Sequence, residues 1–277
     1  MQYIVRFGKR LAVLLPGLAI AIFSYYQIFP TLDKRLNGVV AFLITYILAA
    51  YVLIPALTRL VSIFVRHKHL PVYSVTPDGY ASDPVNVGII GTRKQMIRAM
   101  RNAGWEVADD HSLANIWREV ISSLLRVPYP AAPMSNLYLL GRKQDIGFEI
   151  QISDRWWHRH HVRFWATDYD REGQLTADSI HWIPRKNKRV PNDDEQRYLW
   201  LGAASKDVGL ALIKHNAQLT HMIHPDTDAE RDLIVDHLEI DGATHCATLT
   251  LAKPYRLNNR AWSGYLQTDG KLKIVEL

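Results

Sequence analysis

The chain has 277 residues, a net charge of +6 and a single cysteine. The charge does not point to nucleic acid: residues 1–70 carry eight Lys/Arg against one acid, and residues 71–277 carry 25 against 26. The larger part therefore has no cationic excess to drive phosphate-backbone binding, and one cysteine excludes an intrachain disulfide framework.

Residues 11–29 and 36–58 contain no charged side chain. Each run is about as long as the ~20 apolar residues that cross a ~30 Å hydrocarbon core. Two transmembrane helices are predicted there, making 1–70 a membrane anchor. The first run is long for a signal peptide and lacks an A-x-A-like cleavage site. Lys and Arg number three before the first helix (Arg6, Lys9, Arg10), two between the helices (Lys34, Arg35) and three after the second (Arg59, Arg66, Lys68). That pattern predicts both ends inside, with the soluble domain in the cytoplasm.

Residues 71–84, rich in proline and turn formers, read as a linker, and one soluble domain is expected over 85–277. It opens with a short strand, VNVGIIG (85–91). A helix follows from Thr92, with Thr92 and Gln95 at capping-box spacing and Met96, Ile97, Met100 and Ala103 as its buried stripe. A second helix is predicted over 112–125, burying Leu113, Ile116, Trp117, Val120, Ile121 and Leu124. Strands are predicted over 136–142, 145–153, 159–167 and 197–204. In 145–153, Ile146, Phe148, Ile150 and Ile152 alternate with Asp145, Gly147, Glu149 and Gln151, the period of a sheet with one buried face. The polar stretch after 167 reads as a surface insertion. A helix is predicted over 206–219 and another from Asp226 to Leu238. The chain ends with the strand HCATLTL, which would bury Cys246 as a structural thiol, and a hairpin of GYLQT and KLKIVEL turning at Asp269-Gly270. The fold class is α+β, with a mainly antiparallel sheet and about three to four helices.

Several clusters carry possible chemistry. In RWWHRHHVRFW (155–165), Arg159, His161, Arg163 and Trp165 share one strand face, and His158, His160, Val162 and Phe164 share the other. Two arginines flanking a histidine suit a phosphate or carboxylate; a plainer reading pairs them with Asp145 or Glu149. In THMIHPDTDAERD (220–232), His221, Asp226 and Asp228 are candidate ligands for a divalent metal, while Asp226 or Asp228 would also serve as a helix cap. Arg142 and Asp145 form a turn pair or belong to a site. Ser205 beside Lys206 gives little reason for a nucleophile, since neighbours on a strand point to opposite faces.

The blocks NVGIIGTRKQMIRAMRNAGWEVAD, YPAAPMSNLYLLGRKQDIGFEI, RHHVRFW, WLGAASKDVG and THMIHPDTDAERDLIVDHL follow the order of the LssY C-terminal-domain family, which this chain resembles over roughly residues 83–250. The resemblance implies a bacterial inner-membrane protein of unassigned biochemistry. Some relatives carry a phosphatidic-acid-phosphatase-like membrane domain, which hints at lipid phosphate. The family pattern often has an aspartate where this chain has His224.

Three functions stay open on these residues. The first is a membrane-anchored module using Arg142, Arg159, His161, Arg163 and Arg231 to recognise a phosphorylated, lipid-linked ligand, or else a membrane partner. The second is a phosphoester hydrolase with His161 as acid/base and a metal at His221, Asp226 and Asp228. The third is a scaffold for a secretion or envelope protein, in which the polar residues only specify the fold.

Overall fold

The computed structural model describes residues 19, 22–53, 56, 70–77, 79–110, 112, 114–115, 117–118, 121–122, 129, 131–151, 159–167, 171–173, 196–212, 219–258 and 265–277. It divides into two compact units, Met1–Val65 with Thr76–Tyr80, and Arg66–Val75 with Ala81–Leu277.

In the first unit, π-helical turns at Ser24–Ile28 lead into helix α1 (Phe29–Asp33), and α2 (Gly38–Ile47) continues into π-helical turns at Leu48–Leu53. The first helical stretch runs to Asp33, beyond the expected end at 29. Pro30 lies in the first turn of α1, where its missing N–H costs nothing. Asn37 caps α2 by accepting the Val39 N–H at 2.9 Å. Among the described residues no helix is long and apolar enough to cross a membrane.

The second unit is α+β. Its strands are β1 (Tyr73–Val75), β2 (Ala81–Pro84), β3 (Val87–Thr92), β4 (Glu106–Val107), β5 (Tyr138–Leu139), β6 (Arg142–Lys143) and β7 (Ile146–Gln151). They continue as β8 (Arg159–Thr167), β9 (Arg197–Leu212), β10 (Leu219–Ile223), β11 (Thr244–Thr250), β12 (Tyr255–Asn258), β13 (Tyr265–Thr268) and β14 (Lys271–Glu276). With them go helices α3 (Arg93–Asn102) and α4 (Asp228–Ile240). The large sheet has the order β11-β14-β3-β9-β8-β7-β4, with β10 extending β9. All its pairings are antiparallel except β14 with β3.

Both faces of this sheet are covered, where the alternation in 145–153 predicted one. On one face Met96 and Met100 of α3 and Ile234 and Leu238 of α4 pack on Phe148, Val162, Phe164 and Trp200. On the other, Leu137 and Leu139 pack on Trp165, Leu199, Leu201 and Ile274. Leu139 belongs to a second sheet of order β2-β1-β5-β6. Two of its strands, β1 (Tyr73–Val75) and β2 (Ala81–Pro84), come from the stretch read as a linker. Its β5–β6 hairpin turns on Leu140 and Gly141, both at positive φ (53° and 75°), the backbone that a tight two-residue hairpin requires.

Other expectations need correction. Of the helix predicted over 206–219, the described residues 206–212 and 219 are strand: β9 runs unbroken to Leu212, and Gly209 pairs with Met222 of β10. Cross-strand pairing overrides the local helical pattern there. The C-terminal hairpin is absent, because β13 pairs with β12 while β14 pairs with β11 and β3. Asp269-Gly270 instead joins strands of two sheets. Gly270 has φ +74°, and a Cβ there would lie 2.3 Å from the Ala252 carbonyl oxygen. In the helix predicted over 112–125, residues 114–115, 117–118 and 121–122 are helical. Trp117 and Ile121, expected to be buried, are 65% and 51% exposed; Leu113, Ile116, Val120 and Leu124 lie outside the described residues. So do Ile152, His158 and most of the polar insertion. Cys246 is half-buried.

The α3 capping box forms as predicted: Thr92 Oγ1 accepts the Gln95 N–H at 3.1 Å and Gln95 Oε1 accepts the Thr92 N–H at 2.9 Å. Thr92→Ala should lower the unfolding free energy by about 1 kcal/mol, read from a denaturant melt. An unchanged midpoint would show that packing alone holds this helix start.

Candidate functional site

Strand β8 brings the polar cluster together by alternation. His160, Val162 and Phe164 face the helices, and Arg159, His161, Arg163 and Trp165 face the small sheet, as the sequence predicted. Antiparallel register then sets three strands in rows: Glu149, His161 and Ser205 lie opposite one another, as do Gln151, Arg159 and Asp207. The result is a polar layer beyond the apolar contact of the two sheets.

That layer is buried. Arg159, His161, Arg163 and Asp207 are each less than a tenth exposed, and Glu149, Asp83 and Ser205 are almost wholly enclosed. The plain reading of the arginines holds in part. Arg159 Nη1 lies 3.3 Å from Glu149 Oε2. Arg163, however, meets Asp83 of β2: its Nη1 donates to Asp83 Oδ2 at 3.1 Å, while its Nε and Nη2 donate to the carbonyl and hydroxyl of Ser135 at 3.2 and 3.3 Å.

At the centre His161 Nε2 is 2.7 Å from Ser205 Oγ, and His161 Nδ1 is 3.6 Å from Asp207 Oδ2. Ser205 Oγ is also 3.1 Å from Asp83 Oδ2. Its hydroxyl has one proton and two bases within reach. Burial pushes the Asp83 carboxyl above its ordinary range, opposed by Arg163 and by the Ser205 hydrogen bond. Burial also pushes Glu149 up to about 8, against the pull of Arg159. Desolvation disfavours the charged form of both.

The remaining candidates lie elsewhere. Arg142 pairs with Asp145, whose carboxylate also accepts the Ala166 N–H at 2.8 Å. Burial raises the Asp145 carboxyl despite Arg142. Asp226 Oδ1 accepts the N–H groups of Asp228 and Ala229 at 3.0 and 3.2 Å, as an acid at a helix start does. Asp228 accepts from the Thr268 hydroxyl at 2.9 Å and the Asp269 N–H at 2.6 Å. Arg231 is buried among Asp228, Asp232 and Asp269 at 3.3, 2.7 and 2.8 Å. Helix α4 packs on the face of the large sheet opposite His161. Asp226, Asp228 and Arg231 thus make their contacts around the α4 start and the turn at Asp269, and Arg159, His161 and Arg163 contact Glu149, Ser205, Asp83 and Ser135.

For His221 only the backbone is described, paired with Leu210. Among the described residues no group of three His, Cys, Asp or Glu is arranged to hold a metal. Asp226 directs Oδ1 to N–H groups of the α4 start, and Asp228 directs its oxygens to Thr268, Asp269 and Arg231. A surface groove lined by Arg93, Asp109, Asp110, Lys143 and Asp145 includes none of the β8 cluster.

Sequence reasoning set Ser205 aside as a nucleophile, and missed what Asp207 and Asp83 contact. The first two stand two apart, the signal for one strand face, but Asp207 fell in a predicted helix. Asp83 fell in the predicted linker.

A family model described as LssY C-terminus matches residues 67–272. No curated protein and no solved structure matches the chain.

Proposed function

The chain belongs to the LssY C-terminal family, and from that premise we propose that it is a membrane-anchored accessory module whose folded domain meets an envelope protein partner beside the bilayer. The observation that carries this reading is that every arginine expected to read phosphate already has an acidic side chain as an internal partner. Arg142 pairs with Asp145, Arg159 with Glu149, Arg163 with Asp83, and Arg231 with Asp228, Asp232 and Asp269. A phosphate group entering the β8 cluster would have to displace a buried carboxylate and leave it uncompensated, a cost of several kcal/mol. Recognition by a partner protein makes no such demand.

The anchor rests on the two uncharged runs, 11–29 and 36–58, and on exposed apolar side chains along the second. Val39, Phe42, Leu43 and Val52 are 68%, 61%, 51% and 51% exposed, a contiguous apolar surface of the kind that marks a membrane or protein contact. The flanking cations support a cytoplasmic domain on the inner membrane.

Fractionation tests both halves of this proposal. The full chain is expected in the membrane pellet after a high-salt wash, and residues 70–277 in the supernatant. The detergent-solubilised full chain should give no saturable heat with inorganic phosphate or glycerol phosphate. A full chain in the supernatant would remove the anchor. A stoichiometric heat abolished by Arg163→Ala would restore phosphate recognition.

A further inference from the structure

The geometry of the buried layer points to a chemistry beyond anchoring, and independent of it. We propose that Ser205 is the nucleophile of a latent carboxylic-ester hydrolase, with His161 as its general base and the Asp83 carboxylate as a built-in plug.

Three distances carry this. Ser205 Oγ is 2.7 Å from His161 Nε2, the contact by which an imidazole takes a hydroxyl proton. His161 Nδ1 faces Asp207 Oδ2 at 3.6 Å, which, once Asp83 withdraws and releases the Ser205 proton, favours the tautomer with its proton on Nδ1 and a lone pair on Nε2. Asp83 Oδ2 lies 3.1 Å from both Ser205 Oγ and Arg163 Nη1. One carboxylate oxygen thus occupies the point that is hydrogen-bonded both to the nucleophile and to a fixed cation. In acyl transfer that point belongs to the developing oxyanion and, later, to the product carboxylate.

The plug sits on a strand suited to move. β2 is four residues long and is an edge strand of the small sheet. It pairs with β1 alone, with an irregular register between Tyr73 and Val75. Lifting β2 withdraws Asp83, uncovers Ser205 and frees one arm of Arg163, while Ser135 still orients the guanidinium. Asp207 remains beside the opened site. Its negative charge disfavours a phosphoryl dianion and tolerates an uncharged ester.

In the reaction, Ser205 Oγ bonds to the ester carbonyl carbon as its proton passes to His161 Nε2. The C–O bond to the alcohol breaks, and the alcohol leaves with that proton. Water then adds to the acyl-serine, giving a proton to His161. The bond to Ser205 breaks, Oγ regains the proton, and the carboxylic acid departs.

The experiment uses the full chain in detergent, a fluorophosphonate probe that reports activated serines, and p-nitrophenyl acetate. Labelling is expected at Ser205, slow in the wild type and at least tenfold faster in Asp83→Asn, which keeps the side-chain shape and removes the charge. His161→Ala in the Asp83→Asn background should abolish labelling and acetate hydrolysis. Asp207→Asn, as a positioning change, should move the pH midpoint of labelling and not only its rate. Thermal melts of each variant establish that the protein is folded. Folded Asp83→Asn protein with no adduct at Ser205, or with equal labelling in Ser205→Ala, overturns the proposal and leaves the layer purely structural.

Discussion

Asp83→Ala in the full chain is expected to lower the unfolding free energy of the folded domain by roughly 3–5 kcal/mol, the largest effect of any single change outside the apolar core. The reason is what the alanine leaves behind. Arg163 is buried and donates to Asp83 Oδ2 at 3.1 Å. Without the carboxylate its charge keeps only the neutral oxygens of Ser135. Asp83 also ties the small sheet to the large one, because Ser205 of β9 and Arg163 of β8 both donate to its side chain. The double change Asp83→Ala/Arg163→Met should recover much of the loss, since it removes both charges and restores apolar volume. Urea unfolding of the four proteins measures this. Additive losses in the double variant would mean that the two side chains act separately.

Glu149 governs the second large effect, a loss of stability toward alkaline pH. Its carboxyl is raised to about 8 by burial, above the ordinary value near 4.3 that applies in the unfolded chain. The folded state therefore binds this proton more tightly. The corresponding stability is full below the unfolded value and is lost as pH rises through the folded one. Across that window the loss is on the order of 5 kcal/mol. Glu149→Gln cannot ionise. Its melting temperature should stay nearly level between pH 6 and pH 9 while the wild type falls. Parallel melting curves for the two proteins would show that Glu149 is ionised throughout, held by Arg159.

These two residues also mark what was legible in the sequence. Alternation along 159–167 assigned His161 and Arg163 to one face and His160 to the other, because strand geometry fixes side-chain direction at a period of two. The capping box at Thr92 and the helix after Asp226 were likewise legible, being hydrogen bonds between near neighbours. The family followed from ordered blocks of residues. Glu149 was assigned to a solvent face, because alternation reports which residues share a face and not what covers it.

What covers that face is the small sheet, and only tertiary structure decided this. Its strands β1, β2, β5 and β6 are two to four residues long, too short to show a period. Asp83 looked like linker for that reason. Residues 206–212 looked helical because their apolar spacing fits either period, and the choice fell to pairing with β8 and β10. Ser205 and Asp207 meet His161 only once that pairing exists. The sequence by itself determined the family, the uncharged N-terminal runs and the direction of each β8 side chain, all local or linear properties. The pairing of Arg163 with Asp83 and the contact of Ser205 with His161 and Asp83 arise from strands distant in sequence, and no local pattern encodes them.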